Sequence, residues 1–174
     1  RGQYSQVIFT GCGSTYYLAL AAAALLQEMT GAPARALPAS ELWLYPKSSY
    51  SAQGRILLVA VSRSGETSET LRASKAFKAS GRGDLVTLSC YSEMPLAKMG
   101  ALNLVFPSGQ ERSVAQTRAF STLYLATVAL AAAWAGGSAV WEALRRLPEV
   151  CGRLLNAAAP AARTLGRDLL LDRF

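Results

Sequence analysis

The order of apolar and polar positions along the chain predicts short strands alternating with longer helices. Gln6-Val7-Ile8-Phe9-Thr10 is a brief apolar run that stops at Gly11-Cys12-Gly13, the pattern of a strand entering a tight turn. Ser14 stands where it can cap the following stretch, and residues 16–29 read as a helix closed by Thr30-Gly31. Residues 34–37 predict a second short strand, residues 38–44 another helix, and Pro46, Ser48 and Ser49 a loop. Residues 55–61 are almost continuously apolar, as expected of a central parallel strand covered on both faces. A turn over residues 62–66 then leads into helical spacing over residues 67–80, stopped by Gly81.

The second half keeps the alternation. A strand is predicted at 85–88, a connection at 90–95, a helical turn at 96–99 and a strand at 102–106, followed by the breaker Pro107-Ser108-Gly109. Residues 114–134 read as a long helix ended by Gly136-Gly137, with further helices at 141–147 and 148–158. Repeated exchange of strand for helix predicts an α/β fold, a three-layer α/β/α sandwich with a mostly parallel central sheet. The tail ends on Leu169-Leu170-Leu171-Asp172-Arg173-Phe174, a new apolar element. The expected organisation is one domain over 1–159, with 160–174 a linker and the start of a further domain in a longer protein.

Composition narrows the class. The chain of 174 residues is 51% hydrophobic and 17% charged, enough for one folded core and against disorder. The apolar runs are interrupted before they reach bilayer length, so no membrane span is expected. No cleavable export signal is visible, and the chain opens on Arg1 without a methionine. The 3 cysteines, Cys12, Cys90 and Cys151, are far apart, which fits reduced thiols in a cytoplasmic protein. With no histidine and no close cysteine pair, no metal site is expected. The net charge of +7 is scattered rather than striped, which disfavours nucleic acid and suits steering of a small anion.

Two glycine turns carry candidate chemistry. Ser62-Arg63-Ser64-Gly65-Glu66-Thr67 follows a central strand and opens a helix, the place where a parallel sheet presents backbone amides to an anion. Ser62, Ser64 and Thr67 offer hydroxyl donors there, Gly65 allows a close turn, and Glu66 is expected to turn away from any phosphate. Helix capping alone accounts for the same residues. Gly65 is followed by Glu-Thr rather than Lys, so a Walker site is disfavoured. The turn Gly11-Cys12-Gly13-Ser14-Thr15 brings Ser14 and Thr15 toward the same sheet edge but has Tyr16 where the dinucleotide fingerprint needs a third glycine. No cofactor is expected. The polar segment 111–118 reads either as a pocket rim, with Val114 and Ala115 near the ligand, or as solvated helix ends.

Three motifs in order resemble the sugar isomerase (SIS) domain family, and within it the isomerase half of glucosamine-6-phosphate synthase and related double-domain aminosugar-phosphate isomerases and deaminases. Cys12-Gly13-Ser14-Thr15 is similar to the family's Cys-Gly-Thr-Ser turn, and Ser62 to Thr67 resembles its Ser-Gln-Ser-Gly-Glu-Thr phosphate loop. Glu-Arg-Ser-Val-Ala-Gln-Thr-Arg-Ala-Phe at 111–120 resembles Glu-Ile-Gly-Val-Ala-Ser-Thr-Lys-Ala-Phe.

The resemblance implies that Ser62, Ser64 and Thr67 hold a phosphate and that Arg63 replaces a ligand-contacting glutamine. It also implies that Gly13, Ser14 and Thr15 approach the sugar and that Val114 forms a wall. It further implies a phosphosugar ligand, a homo-oligomer or a second SIS domain completing the site, and proton transfer between C2 and C1 through an enediol or enolamine. Glu28 falls where the second domain's catalytic glutamate sits after its own Gly-x-Gly turn, which makes it the candidate base in a dimer of single domains. The alternative is a non-catalytic phosphosugar sensor attached to a regulatory domain.

Overall fold

The computed structural model describes residues 3–51 and 53–168. Five strands, β1 (Gln6–Gly11), β2 (Ala34–Pro38), β3 (Ile56–Val61), β4 (Gly83–Ser89) and β5 (Leu102–Val105), form one sheet in the order β2-β1-β3-β4-β5. All neighbouring pairs are parallel, with Thr10 of β1 opposite Ala60 of β3 and Ala60 opposite Thr87 of β4. The helices are α1 (Ser14–Thr30), α2 (Ala39–Leu44), α3 (Pro46–Ser49), α4 (Ser68–Ser80), α5 (Arg118–Ala135) and α6 (Ser138–Asp168).

Strand periodicity sorts the core into two layers. Val7, Phe9, Leu57, Val59 and Val61 face one side of the sheet, where they meet Leu18, Ala22 and Leu26 of α1 and Ala119 and Leu123 of α5. Ile8, Ile56, Leu58 and Ala60 face the other, against Leu42 of α2 and Ala73 and Phe77 of α4. Accordingly α1 packs on α5, and α2 on α4. All six residues of β3 are buried, as its unbroken apolar run requires. This is the expected three-layer α/β/α sandwich, with the flavodoxin-like strand order.

Among the described residues α5 is the one helix long and apolar enough to cross a membrane by length and hydropathy. Ala119, Leu123, Ala126, Thr127, Ala131 and Ala132 of this helix are buried within the protein.

Several boundaries differ from the sequence expectation. Pro46–Ser49 is a short helix rather than a loop, because Pro46 supplies a helix-compatible first position. The α1 cap falls on Gly13, whose φ of 58° favours glycine, so Ser14 is the first helical residue and not a side-chain cap. The helix expected from 114 begins at Arg118. The two helices expected at 141–147 and 148–158 form one, with Pro148 and Pro160 inside it.

The chain divides after Gly136 into two units, the second containing α6. The expected limit at 159 falls inside α6, and the apolar tail 169–174 lies outside the described residues.

Candidate functional site

Sheet order changes direction between β1 and β3. From there β2 lies on one side, and β4 and β5 on the other. The helix after β1 goes to one face and the helix after β3 to the other, which opens a crevice at the carboxyl ends of these two strands. Because Thr10 and Ala60 are in register, the turns that follow both strands emerge side by side.

The first turn is shaped by Gly11, where a Cβ would come within 2.6 Å of the Thr15 hydroxyl oxygen. That hydroxyl donates to the Cys12 carbonyl at 2.9 Å and accepts from the Cys12 amide at 3.1 Å, so Thr15 is buried and occupied by its own turn. Gly13 and Ser14 are exposed at the start of α1, with no side chain capping the helix.

The second turn is held from within. The Ser62 hydroxyl is buried, accepts from the Gly65 amide at 3.2 Å and shares a hydrogen bond with the Thr67 hydroxyl at 3.0 Å. The Ser64 hydroxyl accepts from the Glu66 amide at 3.3 Å. Gly65 has φ of 73°, and its carbonyl receives the Leu96 amide at 3.0 Å. Thr67 occupies the α4 cap without capping through its side chain, so the amides of the first α4 turn keep their capacity for an outside acceptor.

A third wall comes from residues 106–118. Glu111 reaches forward and accepts hydrogen bonds from the amides of Thr117, Arg118 and Ala119 and from the Thr117 hydroxyl, at 2.8–3.1 Å. Desolvation pushes the Glu111 carboxyl up. The Thr117 hydroxyl and the amides of Ala119, Thr117 and Arg118 outweigh it and bring it down from 4.5 to about 2. Glu111 therefore caps α5, a role between the two expected for it. Gln110 Nε2 donates to the Cys90 carbonyl at 2.9 Å, Arg118 donates to the Gln110 carbonyl, and Arg63 Nη1 donates to the Ser113 carbonyl at 2.7 Å. Burial raises the Cys90 thiol pKa, Arg63 lowers it and Glu111 raises it, which places both charges around Cys90.

Two clefts share Tyr91. One, of about 230 Å³, is lined by Arg63, Ser64, Glu66, Tyr91 and Met94, and the other, of about 530 Å³, by Tyr91, Gln110, Glu111, Arg112 and Arg118. Glu66, expected to turn away, thus lines the first cleft. Val114 is 94% exposed.

Of the residues singled out from sequence, Ser62, Arg63, Ser64 and Thr67 form one loop, Gly13, Ser14 and Thr15 belong to the neighbouring turn, and Val114 follows the residue that Arg63 holds. Glu28 is not brought to them within one chain. It is exposed near the far end of α1, about 21 Å along the helix from Ser14. The sequence reading overlooked Cys90, Tyr91 and Met94. They follow β4, and adjacency of β4 to β3 in a parallel sheet is the signal that places them beside the phosphate-loop candidate.

These features define a doubly wound α/β domain with a crevice at the switch between β1 and β3. The SIS domain family profile matches residues 3–133. The glutamine--fructose-6-phosphate aminotransferase (isomerizing) of Helicobacter pylori is 37% identical over 121 residues, covering 68% of this chain and 19% of that protein. Its counterpart from Xylella fastidiosa is 32% identical over 154 residues, covering 83% and 25%. Among solved structures, glucosamine-6-phosphate deaminase from Thermotoga maritima is 31% identical with a TM-score of 0.72, covering 83% of this chain and 45% of that one. The C-terminal domain of glucosamine-fructose-6-phosphate aminotransferase from Francisella tularensis shares the fold at 20% identity and TM-score 0.75, covering 93% and 46%. The chain belongs to the SIS domain family. It spans 19–25% of the length of these two aminotransferases.

Proposed function

We propose that this chain is the phosphosugar-gripping lobe of an aldose–ketose isomerase or aminosugar-phosphate deaminase acting on glucosamine 6-phosphate or fructose 6-phosphate-like substrates. The observation that carries this reading is the uncapped α4 N-terminus framed by the hydroxyls of Ser62, Ser64 and Thr67 at the switch-point crevice. A phosphate there meets helix-dipole and amide donors together. Ser14 on the adjacent turn supplies a hydroxyl toward the sugar, and residues 113–116 supply a wall.

Transfer of a proton between C2 and C1 needs a carboxylate or comparable base near the reacting carbons. Glu28 serves only if a second copy or a second SIS domain places such a helix across the crevice, so the reading includes a paired partner. The distance of Glu28 from its own loop also favours the second reading, a phosphosugar sensor that binds without turnover.

Thermal unfolding with glucosamine 6-phosphate, fructose 6-phosphate and the corresponding neutral sugars tests the grip. The phosphorylated ligands are expected to raise Tm and the neutral sugars to leave it unchanged, and Ser64→Ala combined with Thr67→Ala is expected to remove the difference. Equal shifts from both ligand classes overturn the phosphate assignment. Ammonia release or aldose–ketose interconversion by this chain paired with a second copy or a second SIS domain separates the enzyme from the sensor.

A further inference from the structure

We propose that Arg63 is a positioning residue that couples the anion-receiving loop to the wall at residues 112–116, so that loop occupancy and wall placement depend on each other. The coupling to a ligand rests on the phosphosugar reading above; the tie between loop and wall does not.

Two arms connect these segments. The Arg63 side chain reaches across 50 residues of sequence to the Ser113 carbonyl at 2.7 Å. Its own carbonyl accepts the Cys90 amide at 3.1 Å, and the Cys90 carbonyl in turn accepts from Gln110 Nε2 at 2.9 Å. Cys90 is thus a backbone bridge, fixed by burial in the core and by Gly109, where a Cβ would approach its sulfur to 2.7 Å. The wall is anchored at its two ends by Gln110 and by the Glu111 cap on α5. Between them Val114 stands 94% exposed, and the Gln116 side-chain oxygen is buried without a hydrogen-bond partner. A buried acceptor left unpaired marks a segment whose polar groups are not yet satisfied. The Arg63–Ser113 bond is what holds the middle of this segment to the loop.

Arginine is suited to hold two things at once. Its planar guanidinium carries five donors, and Nη1 uses one of them on Ser113 while the same side chain lines the cleft beside Ser64. An anion in that cleft takes a charge-assisted bond from the remaining donors, stronger than one to a neutral carbonyl. Ligand and wall are then held by one rigid fork.

Hydrogen exchange on the 174-residue chain, with and without inorganic phosphate or glucosamine 6-phosphate, tests this. In the wild type, ligand is expected to slow exchange at residues 113–116. Arg63→Ala is expected to speed exchange there without ligand, to weaken phosphate binding roughly tenfold, and to make the wall insensitive to ligand. Arg63→Lys is expected to recover most of the affinity through its charge and none of the wall protection, which a merely electrostatic role does not predict. Unchanged exchange at 113–116 in ligand-free Arg63→Ala overturns the tie, as does a wild type that binds ligand with no change in the wall. A wild type that neither ligand stabilises overturns the phosphosugar reading instead, and the ligand-free comparison then decides the tie alone.

Discussion

The Glu111 carboxylate caps α5 from outside the helix, taking the Thr117 amide at 3.0 Å and the Thr117 hydroxyl at 2.8 Å. The helix start is thereby fixed by a residue six positions upstream, and the intervening segment is closed into a short loop. The carboxyl is held at about 2, below its ordinary 4.5, so its contribution to stability is fully present above pH 4.5 and is lost as pH falls through about 2. Glu111→Gln is expected to lower Tm by roughly 2–4 °C at pH 7, as a lost cap does in a chain of this size. The gap from wild type should narrow between pH 4.5 and 2. A gap that stays constant across that range contradicts the charged cap.

The same loop shows what sequence patterning conveys and what it does not. Strands β1 and β3 are legible because a buried parallel strand is a short, mainly apolar run, and Gly11, Gly65 and Gly81 punctuate the chain where close approach (Gly11) or a positive φ (Gly65, Gly81) favours glycine. Apolar patterning puts the start of α5 four residues early because Val114 and Ala115 continue the pattern, whereas the cap that fixes the helix start comes from Glu111, through space. Pro148 read as a boundary, but a single long helix carries it. At the site, the hydroxyls of the 62–67 loop were legible as a cluster of donors after a strand. That Ser62 is spent on Gly65 and Thr67, and Thr15 on Cys12, follows from turn geometry that residue types alone do not specify.

Gly65 sits where the loop bends sharply with φ of 73°, and a Cβ there would come within 3.0 Å of the Met94 Cβ. Gly65→Ala therefore combines a left-handed backbone penalty of about 1–2 kcal/mol with displacement of the half-buried Met94 side chain. Urea unfolding is expected to show that loss, and phosphate or glucosamine 6-phosphate should no longer raise Tm, because the Ser62–Gly65 bond that shapes the loop is disturbed. Full retention of both stability and ligand response speaks against a loop of this conformation.

At the opposite end of the sheet, the Tyr4 hydroxyl donates to Asp84 Oδ2 at 2.5 Å, and the Arg55 guanidinium meets the same oxygen at 2.7 Å. The Tyr4 bond, ahead of Arg55, draws the Asp84 carboxyl below its usual 3.8 against some desolvation. In return the Asp84 bond, with burial, raises Tyr4 above 10.0. The signs set a window. Asp84 contributes stability above about pH 4 and loses it as acid protonates the carboxylate; Tyr4 contributes below pH 10 and loses it as base removes its proton. Tyr4→Phe keeps the ring that packs near Trp134 and deletes only the hydroxyl. It is expected to cost about 1 kcal/mol near pH 7, modest because Asp84 is partly exposed. Urea midpoints at pH 3, 7 and 10.5 should show the variant approaching wild type at both extremes. A difference equal at all three values contradicts a loss carried by the titrating hydroxyl–carboxylate bond.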